Sequence, residues 1–413
     1  MAAPFSEQLG LYISIPFCRS KCTYCNFASG VYPASEHARY IKSLVDEMQA
    51  ARVWSENSGA ELPSRLDTIY FGGGTPSLLA PDLMAGLFGA IREKFTIEPD
   101  AEITVECAPG QLADATLEAF TQAGVNRISL GVQSFIDREA HQSGRLHSRA
   151  IVLDDLKRIR AAGISNLNLD LIAGLAGQTF ASWQESLGVL IDAGTPHASI
   201  YMLEIDDESR LGRELIAGGV RYHANVVPTD DAIVRMYETA IESLSAAGLR
   251  QYEISNFARS GFESRHNLRY WQRRPYLGLG LDASSMLRAT PRSSDTGELR
   301  YILRSTMTDD LKSYLGAAPP PETALLSPER QHEEAWFLGL RLNAGVSIPA
   351  LREEFGDRMV AHALDTVGHL AERGLVGFDG ESVRLTAHGR LLSNDVFQEF
   401  LEIADSHAIV AVS

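Results

Sequence analysis

The sequence has no long hydrophobic run. Nowhere do about 18 consecutive apolar residues occur, the length that a helix needs to cross a bilayer. The first ten residues lack the basic stretch and the apolar stretch of a secretory signal, and they include the acidic Glu7. These absences predict a cytoplasmic protein without a transmembrane segment.

Positive charge is also scarce. Lys and Arg together number 37 against 53 Asp and Glu, which gives a net charge of −16. Nucleic-acid binding depends on clustered cations that displace the counterions of the phosphates, so this balance argues against a DNA or RNA partner. The 413 residues, 45% of them hydrophobic, exceed what one ordinary core holds, and we expect two or three domains.

Cysteine is rare, but it is unevenly placed. Of the four cysteines, Cys18, Cys22 and Cys25 stand together directly after a predicted strand, while Cys107 stands alone. In a reducing cytosol such spacing indicates metal ligands rather than disulfides, and thiolates favour zinc or an iron–sulfur cluster. A structural zinc site usually takes four ligands in two separated pairs, whereas three cysteines on a cluster leave one iron open. The pattern therefore favours a cluster, with structural zinc as the alternative; Cys107 is best explained as a buried small hydrophobe.

The hydrophobic period alternates between two and 3.6 over the first 250 residues. Strands are predicted at residues 11–15, 68–72, 102–107, 127–132, 166–172 and 198–203. Helices are predicted at residues 40–51, 81–95, 113–123, 148–162, 180–193 and 230–247. Six such units predict an α/β fold with a parallel sheet, and a partial (β/α)6 barrel fits them better than a full barrel; a doubly wound sheet is the alternative.

The rest of the chain predicts a different architecture. Residues 249–316 carry a strand-like pattern at 251–254 and loop-like patterns, which suggest a sheet extension and connecting region after a barrel domain at 1–248. The run at 317–321 has the composition of a stiff linker. Residues 322–413 then predict a small α+β, winged-helix-like domain, with helices at 328–342, 348–355, 360–373 and 395–404 and a hairpin around Asp379-Gly380. Because this domain is acidic, packing or partner binding suits it better than DNA binding.

Polar and glycine residues gather where the predicted strands end. They are the cysteine loop, residues 72–75, Glu106, Gln133 and Asp170. Functional residues of parallel α/β barrels lie at the C-terminal ends of the strands, so this edge is the predicted site.

The cysteine motif, Cys-x3-Cys-x-Tyr-Cys after an Ile-Pro-Phe strand end, resembles the radical S-adenosylmethionine superfamily. The resemblance implies a [4Fe–4S] cluster on Cys18, Cys22 and Cys25, whose open iron chelates S-adenosylmethionine and whose electron cleaves a carbon–sulfur bond of that cofactor. It also assigns cofactor contacts to a further set of residues: Tyr12, Gly73, Gly74, Thr75, Glu106, Gln133, Arg145 and Asp170. Taken singly, the glycines fit an ordinary tight turn and the polar residues fit surface or capping positions; their joint placement after successive strands favours the site.

Within the superfamily, the chain resembles the branch that contains oxygen-independent coproporphyrinogen III dehydrogenase and the HemW haem chaperones. Phe27 stands where that dehydrogenase has a further cysteine, only 17 residues precede Cys18, and residues 266–271 match the His-Asn-x-x-Tyr-Trp motif of the chaperones. The resemblance implies haem contacts by His266, Asn267, Tyr270 and Trp271, and neutral imidazole is a good haem ligand. Simple packing of these rings is the alternative.

Three functional hypotheses follow. The first is a haem chaperone that delivers haem to an acceptor, for example a respiratory haem protein, and receives electrons from a donor such as flavodoxin or ferredoxin. The second is an oxidative decarboxylase of coproporphyrinogen III. The third is a zinc-stabilised interaction protein. Whether the chain is an enzyme is left open by the sequence.

Overall fold

The computed structural model describes residues 8–289, 301–316 and 320–401. Strands are labelled in chain order. They are β1 Gln8–Ile15, β2 Ala60–Glu61, β3 Arg65–Gly73, β4 Thr96–Cys107, β5 Arg127–Gln133, β6 Asn166–Ala173, β7 His197–Met202, β8 Arg250–Gln251, β9 Asn256–Ala258, β10 Tyr276–Leu279, β11 Ser284–Ala289, β12 Tyr301–Thr306, β13 Glu322–Leu326, β14 Val346–Ser347, β15 Val376–Phe378 and β16 Ser382–Leu385.

Helices are labelled in the same way. They are α1 Ser35–Asn57, α2 Pro81–Lys94, α3 Asp114–Ala123, α4 Asp137–Gln142, α5 Arg149–Ala161, α6 Phe180–Ala193, α7 Arg210–Ala217, α8 Asp230–Ala246, α9 Arg265–Trp271, α10 Leu311–Leu315, α11 Pro328–Gly339, α12 Ile348–Phe355, α13 Asp357–Glu372, α14 Ala387–Leu391 and α15 Ser393–Leu401. Within the described ranges, none of them is long and apolar enough to cross a membrane.

A large mixed sheet forms the body of the molecule. Its order is β13-β12-β11-β10-β1-β3-β4-β5-β6-β7-β9-β8, with β2 paired to β11. From β1 through β7 the neighbours in this order are parallel, and a helix separates each pair along the chain. The α/β fold with a partial (β/α)6 barrel is thereby confirmed. The parallel strands follow one another in chain order without the reversal that a doubly wound sheet requires, which excludes that alternative.

The core explains why these segments form strands and helices. Leu9, Leu11, Ile13 and Ile15 stand at every second position of β1 and are fully buried, as expected for the face of a strand that points into the core. The buried side of α2 repeats at helical spacing, and its Phe88 packs on Phe71 of β3 with ring centres 5.0 Å apart. Helix packing on one face of each strand thus fixes the register that places the strand ends together.

The C-terminal elements form a second, smaller core. Strands β14, β16 and β15 make an antiparallel sheet, and the hairpin turn is made at Gly380 with a φ of 94°. Trp336 of α11 is fully buried and stacks on Phe400 of α15 with ring centres 4.8 Å apart. The predicted helices and hairpin at 328–385 are present at nearly the predicted bounds.

The connecting region differs from the sequence prediction in detail. A strand was expected at 251–254, but the chain pairs at 250–251 and again at 256–258, because β9 hydrogen-bonds to β7 there. Residues 265–271, for which the sequence predicted no helix, form helix α9. Its N-cap is Ser264, whose side chain accepts a hydrogen bond from the backbone N–H of Asn267. Most of the predicted linker at 317–321 and the end of the last helix after residue 401 lie outside the described residues.

Candidate functional site

The cysteine loop follows β1 and is closed at its base by main-chain hydrogen bonds. The amide of Cys18 donates to the carbonyl of Gly30 at 2.9 Å, and the amide of Gly30 donates to the carbonyl of Pro16 at 2.9 Å. Lys21 links the two sides of the loop, because its Nζ donates hydrogen bonds to the carbonyls of Phe27 and Ser29 at 2.6 and 2.9 Å. These hydrogen bonds fix the conformation of the loop at the C-terminal end of β1.

The three thiols of this loop are free and close enough to influence one another. Cys22 is buried, and Cys18 and Cys25 are half-buried. Burial raises the pKa of Cys18, and the neighbouring Cys25 and Cys22 raise it further, whereas hydrogen bonding from Ser29 and Thr75 lowers it. Two donors point at the sulfurs: Arg145 Nη1 lies 3.6 Å from Cys22 Sγ, and Thr75 Oγ1 lies 3.9 Å from Cys18 Sγ.

The glycines after β3 bring their backbone against the start of the cysteine loop. A Cβ on Gly74 would lie 2.7 Å from the carbonyl oxygen of Ile15 and 2.9 Å from that of Phe17. Gly73 has a φ of 91°, which side chains rarely adopt, and a Cβ there would meet Ser14. Thr75 then donates its amide to the Phe17 carbonyl at 2.8 Å. These glycines are required for close backbone approach.

Glu106, at the end of β4, accepts a hydrogen bond from the hydroxyl of Tyr70 at 2.7 Å. Burial raises the pKa of Glu106 to about 7, with the hydrogen bond from Tyr70 opposing the rise and the charge of Asp170 adding to it. The sequence reasoning missed Tyr70; its place at the inward-facing period of β3 is the signal that points to it.

The remaining predicted contacts follow β5 and β6. Gln133 has a φ of 69°, and its Oε1 is buried with no hydrogen-bond partner among the described residues. Arg145 donates to the carbonyl of Gly131 as well as facing Cys22. Asp170 accepts from Asn168 Nδ2 at 2.7 Å and from the hydroxyl of Ser129 at 3.2 Å, and burial raises its pKa.

A polar floor that the sequence reasoning did not identify lies deeper in the barrel. Asn168 bridges strands by donating to Ser129 and Ser199 and by meeting His197 Nδ1 at 2.6 Å. Arg127 is 2% exposed, and its nearest carboxylate, that of Glu102, is 4.0 Å from Nε. The alternation Asn166, Asn168, Asp170 in β6 is the available signal, because a period of two places polar side chains on one face of a strand.

One cavity of about 870 Å³ joins these groups. It is lined by all three loop cysteines, by the polar strand ends, by the polar floor and by residues 391–395 of the C-terminal elements. Of the predicted residues, Gly73, Gly74, Thr75, Glu106, Gln133, Arg145, Asp170 and Asn267 line it, and Tyr12, His266, Tyr270 and Trp271 do not. The predicted cofactor contacts are thus brought together, apart from Tyr12, and the predicted haem contacts are brought there only through Asn267.

A row of rings lies behind the cavity wall. Tyr12 stacks on Tyr70 at 6.2 Å between ring centres, and Tyr70 stacks on His266 at 5.2 Å. Both ring nitrogens of His266 are engaged: Nδ1 is 2.8 Å from Thr68 Oγ1 and Nε2 is 2.9 Å from the hydroxyl of Tyr270. Burial, with the charge of Arg127, lowers the pKa of His266 to about 3, so the imidazole is neutral. His266 therefore holds α9 against β3 in this structure.

Several observations make this cavity fit an iron–sulfur cluster and a small-molecule cofactor. Three free cysteines line it, the backbone of residues 73–75 (the glycine cradle) lies beside them, and Gln133 Oε1 lacks a hydrogen-bond partner in the described part of the chain. Within the described ranges, no three His, Cys, Asp or Glu side chains are arranged to hold a single metal ion.

Comparison with known proteins agrees with this description. Residues 12–190 match the Radical SAM superfamily, and residues 326–392 match the HemN C-terminal domain. The solved structure of coproporphyrinogen III oxidase (HemN) from Escherichia coli superposes with a TM-score of 0.79 over 95% of this chain and 90% of that one, at 22% identity, which establishes a shared fold. Fold and site together define a radical S-adenosylmethionine protein with a HemN-type C-terminal domain. Membership of that superfamily implies a [4Fe–4S] cluster and S-adenosylmethionine.

Relatives of known name show which branch of the superfamily the chain resembles. Heme chaperone HemW of Escherichia coli is 36% identical over 95% of this chain and 98% of its own length. Heme chaperone HemW of Bacillus subtilis is 34% identical over 94% of this chain and 98% of its own. The chain belongs to the HemW family.

Proposed function

We propose that this protein is a haem chaperone that carries a [4Fe–4S] cluster with S-adenosylmethionine and transfers haem to an acceptor protein. The observation that carries the proposal is the shared cavity: Asn267, from the His-Asn-x-x-Tyr-Trp segment, lines the same space as the cysteine loop. A residue assigned to haem and the cysteines assigned to the cluster therefore line one cavity.

In this proposal Cys18, Cys22 and Cys25 hold the cluster. When bound, the cluster and S-adenosylmethionine supply one-electron chemistry. Thr75 and Arg145 orient the cysteine sulfurs through the contacts at 3.9 and 3.6 Å, and hydrogen bonds to thiolate sulfur tune the potential of such centres.

The cofactor contacts are assigned by the chemistry of each side chain. Gly73, Gly74 and Thr75 line the cavity beside the cysteine loop, and we assign them to the methionine end of the cofactor. Glu106 and Asp170 accept hydrogen bonds from an ammonium or from ribose hydroxyls, and Gln133 offers its unpartnered oxygen in the same way. Tyr12 acts from behind, by packing on Tyr70.

The haem contacts are proposed around α9. Asn267 faces the cavity directly, while Tyr270 and Trp271 form the wall behind it. Ligation of iron by His266 requires its Nε2 to exchange the Tyr270 hydroxyl for the metal. On the basis of the family, we propose that haem is delivered to a haem-accepting protein, for example a respiratory enzyme, and that a flavodoxin or ferredoxin donates electrons. On the same basis we propose that the protein lies in the cytoplasm.

The competing function is oxidative decarboxylation of coproporphyrinogen III. Phe27, which occupies the position of that enzyme's further cysteine, is 62% exposed and has no sulfur to offer. The deciding experiment uses full-length, anaerobically reconstituted protein, titrated with haem with and without S-adenosylmethionine and then incubated with coproporphyrinogen III under reducing conditions. Stoichiometric haem binding without turnover supports the proposal, whereas formation of protoporphyrinogen refutes it in favour of the enzyme.

A further inference from the structure

Arg341 belongs to the C-terminal elements but lies at the cavity that the barrel forms. It follows α11, and its carbonyl accepts a hydrogen bond from the amide of Ile254 at 3.2 Å. Next to it, Leu342 pairs with Glu253 in an antiparallel bridge. The backbone around Arg341 is thus pinned to the barrel, and its side chain lines the cavity.

The guanidinium of Arg341 lies on the indole of Trp271, with its carbon 4.3 Å from the ring centre. Arg341 Nε and Trp271 Nε1 are both buried, and neither has a hydrogen-bond partner among the described residues. Leaving buried N–H donors without acceptors is unfavourable, so two of them on side chains in contact indicate that an acceptor is supplied from outside the chain.

The protein's own candidate for that acceptor is Glu253. Its charge lies near enough to Arg341 for the guanidinium to lower its pKa, against the larger effect of burial. Its Oε1 accepts from the amide of Ser255 and from Asn256, and its Oε2 is buried without a hydrogen-bond partner among the described residues. In the described chain neither oxygen lies within 4.0 Å of an Arg341 nitrogen, although the charge of Arg341 reaches this carboxyl group. The two groups therefore share a region without forming an ion pair.

A planar guanidinium presents its donors as a fork that matches a carboxylate, and stacking on an indole fixes the plane of that fork. Under the proposed function, two molecules in the cavity carry carboxylates. S-adenosylmethionine has one, and its methionine end is assigned to the cysteine loop and the glycines after β3. Haem has two propionates, and no partner has been assigned to either.

We propose that Arg341, held over the ring of Trp271, binds a propionate of haem, so that the C-terminal domain completes the haem site of the barrel. The inference rests on the proposed function and adds to it a residue that recognises the ligand's carboxylate. Trp271 then acts by its face, as the platform for the guanidinium, rather than by lying against the porphyrin.

The test compares ferric protoporphyrin IX with its dimethyl ester, which keeps the ring and the iron but removes both negative charges. Cluster-loaded, full-length protein is titrated with each ligand and with S-adenosylmethionine, as the unaltered chain, as Arg341→Gln and as Arg341→Lys. Because hydrogen bonds to charged groups are strong, we expect Arg341→Gln to weaken protoporphyrin binding by about tenfold to a hundredfold. Binding of the ester and of S-adenosylmethionine should not change, and Arg341→Lys should fall between.

Arg352→Gln is the matched control, because this arginine is half exposed on α12 and does not line the cavity. Should Arg341→Gln fail to fold, the unaltered chain still tests the inference, because it must bind ferric protoporphyrin IX more tightly than the dimethyl ester. Equal weakening of both porphyrins, or loss of S-adenosylmethionine binding alone, would overturn the inference and leave the chaperone function standing. A chain that binds no haem would refute the proposed function, and this inference with it.

Discussion

The glycine cradle beside the cysteine loop offers a sharp test of the cofactor site. Gly74→Ala adds one methyl group at a position where φ is not positive, so the substitution introduces no backbone strain of its own. The added Cβ would lie 2.7 Å from the Ile15 carbonyl oxygen, 2.9 Å from the Phe17 carbonyl oxygen and 3.0 Å from the Phe17 amide nitrogen. All three are backbone atoms at the base of the cysteine loop, and they cannot move without displacing it.

Overpacking of this kind costs about 1–3 kcal/mol. The chain can relieve the strain by moving the loop after β3 away from β1, but cofactor binding then has to restore the original position. Since each 1.4 kcal/mol corresponds to about a tenfold change in an equilibrium constant, we expect S-adenosylmethionine affinity to fall by roughly fivefold to a hundredfold. The melting temperature of the cofactor-free protein should fall as well.

The assay is calorimetric titration of S-adenosylmethionine into the cluster-loaded protein, together with thermal unfolding. Gly89→Ala is the matched control, because a Cβ there meets no atom within 4 Å and alanine is favoured in the middle of a helix such as α2. It should bind the cofactor normally and unfold at the same or a higher temperature. If Gly74→Ala matches Gly89→Ala in both measurements, the glycine after β3 is not a close-approach position and the assignment of the cradle is wrong.

Two further predictions concern the cluster and the buried carboxyl group. Cys22→Ser should abolish the visible charge-transfer absorbance of the iron–sulfur cluster after reconstitution, because soft thiolate ligands hold the irons. Cys107→Ala, at a core position 4% exposed, should retain that absorbance. Persistence of the absorbance in Cys22→Ser refutes the ligand assignment. Burial raises the pKa of Glu106 to about 7, so the folded chain holds the carboxyl proton more tightly than the unfolded chain does. The contribution of Glu106 to stability therefore falls as pH rises from the ordinary carboxyl range to about 7, and it is constant above that pH. Glu106→Gln should remove that part of the pH dependence, measured by denaturant unfolding at a series of pH values, and an unchanged profile contradicts the raised pKa.

Much of the architecture follows from local pattern. The six parallel strands and the helices between them repeat an alternation that is visible in short windows of sequence, and α6 has the predicted bounds of 180–193. The three loop cysteines lie within eight residues, so their proximity needs no tertiary information. The spacing of apolar residues shows which side of a segment is buried, which is why core strands and helices can be predicted.

The tertiary structure decides which groups each polar side chain contacts. His266 looks in sequence like an available imidazole, yet packing of α9 on β3 gives both its nitrogens to Thr68 and Tyr270. Arg341 stands more than 300 residues after the cysteine loop, and only the docking of the C-terminal elements brings it to the same cavity. A hydrophobic period states that a side chain is buried but not what it touches, because contacts between distant segments depend on how whole elements pack. The sequence by itself therefore determined the barrel, the cluster motif and the family, and the tertiary structure decided which polar groups face one another inside it.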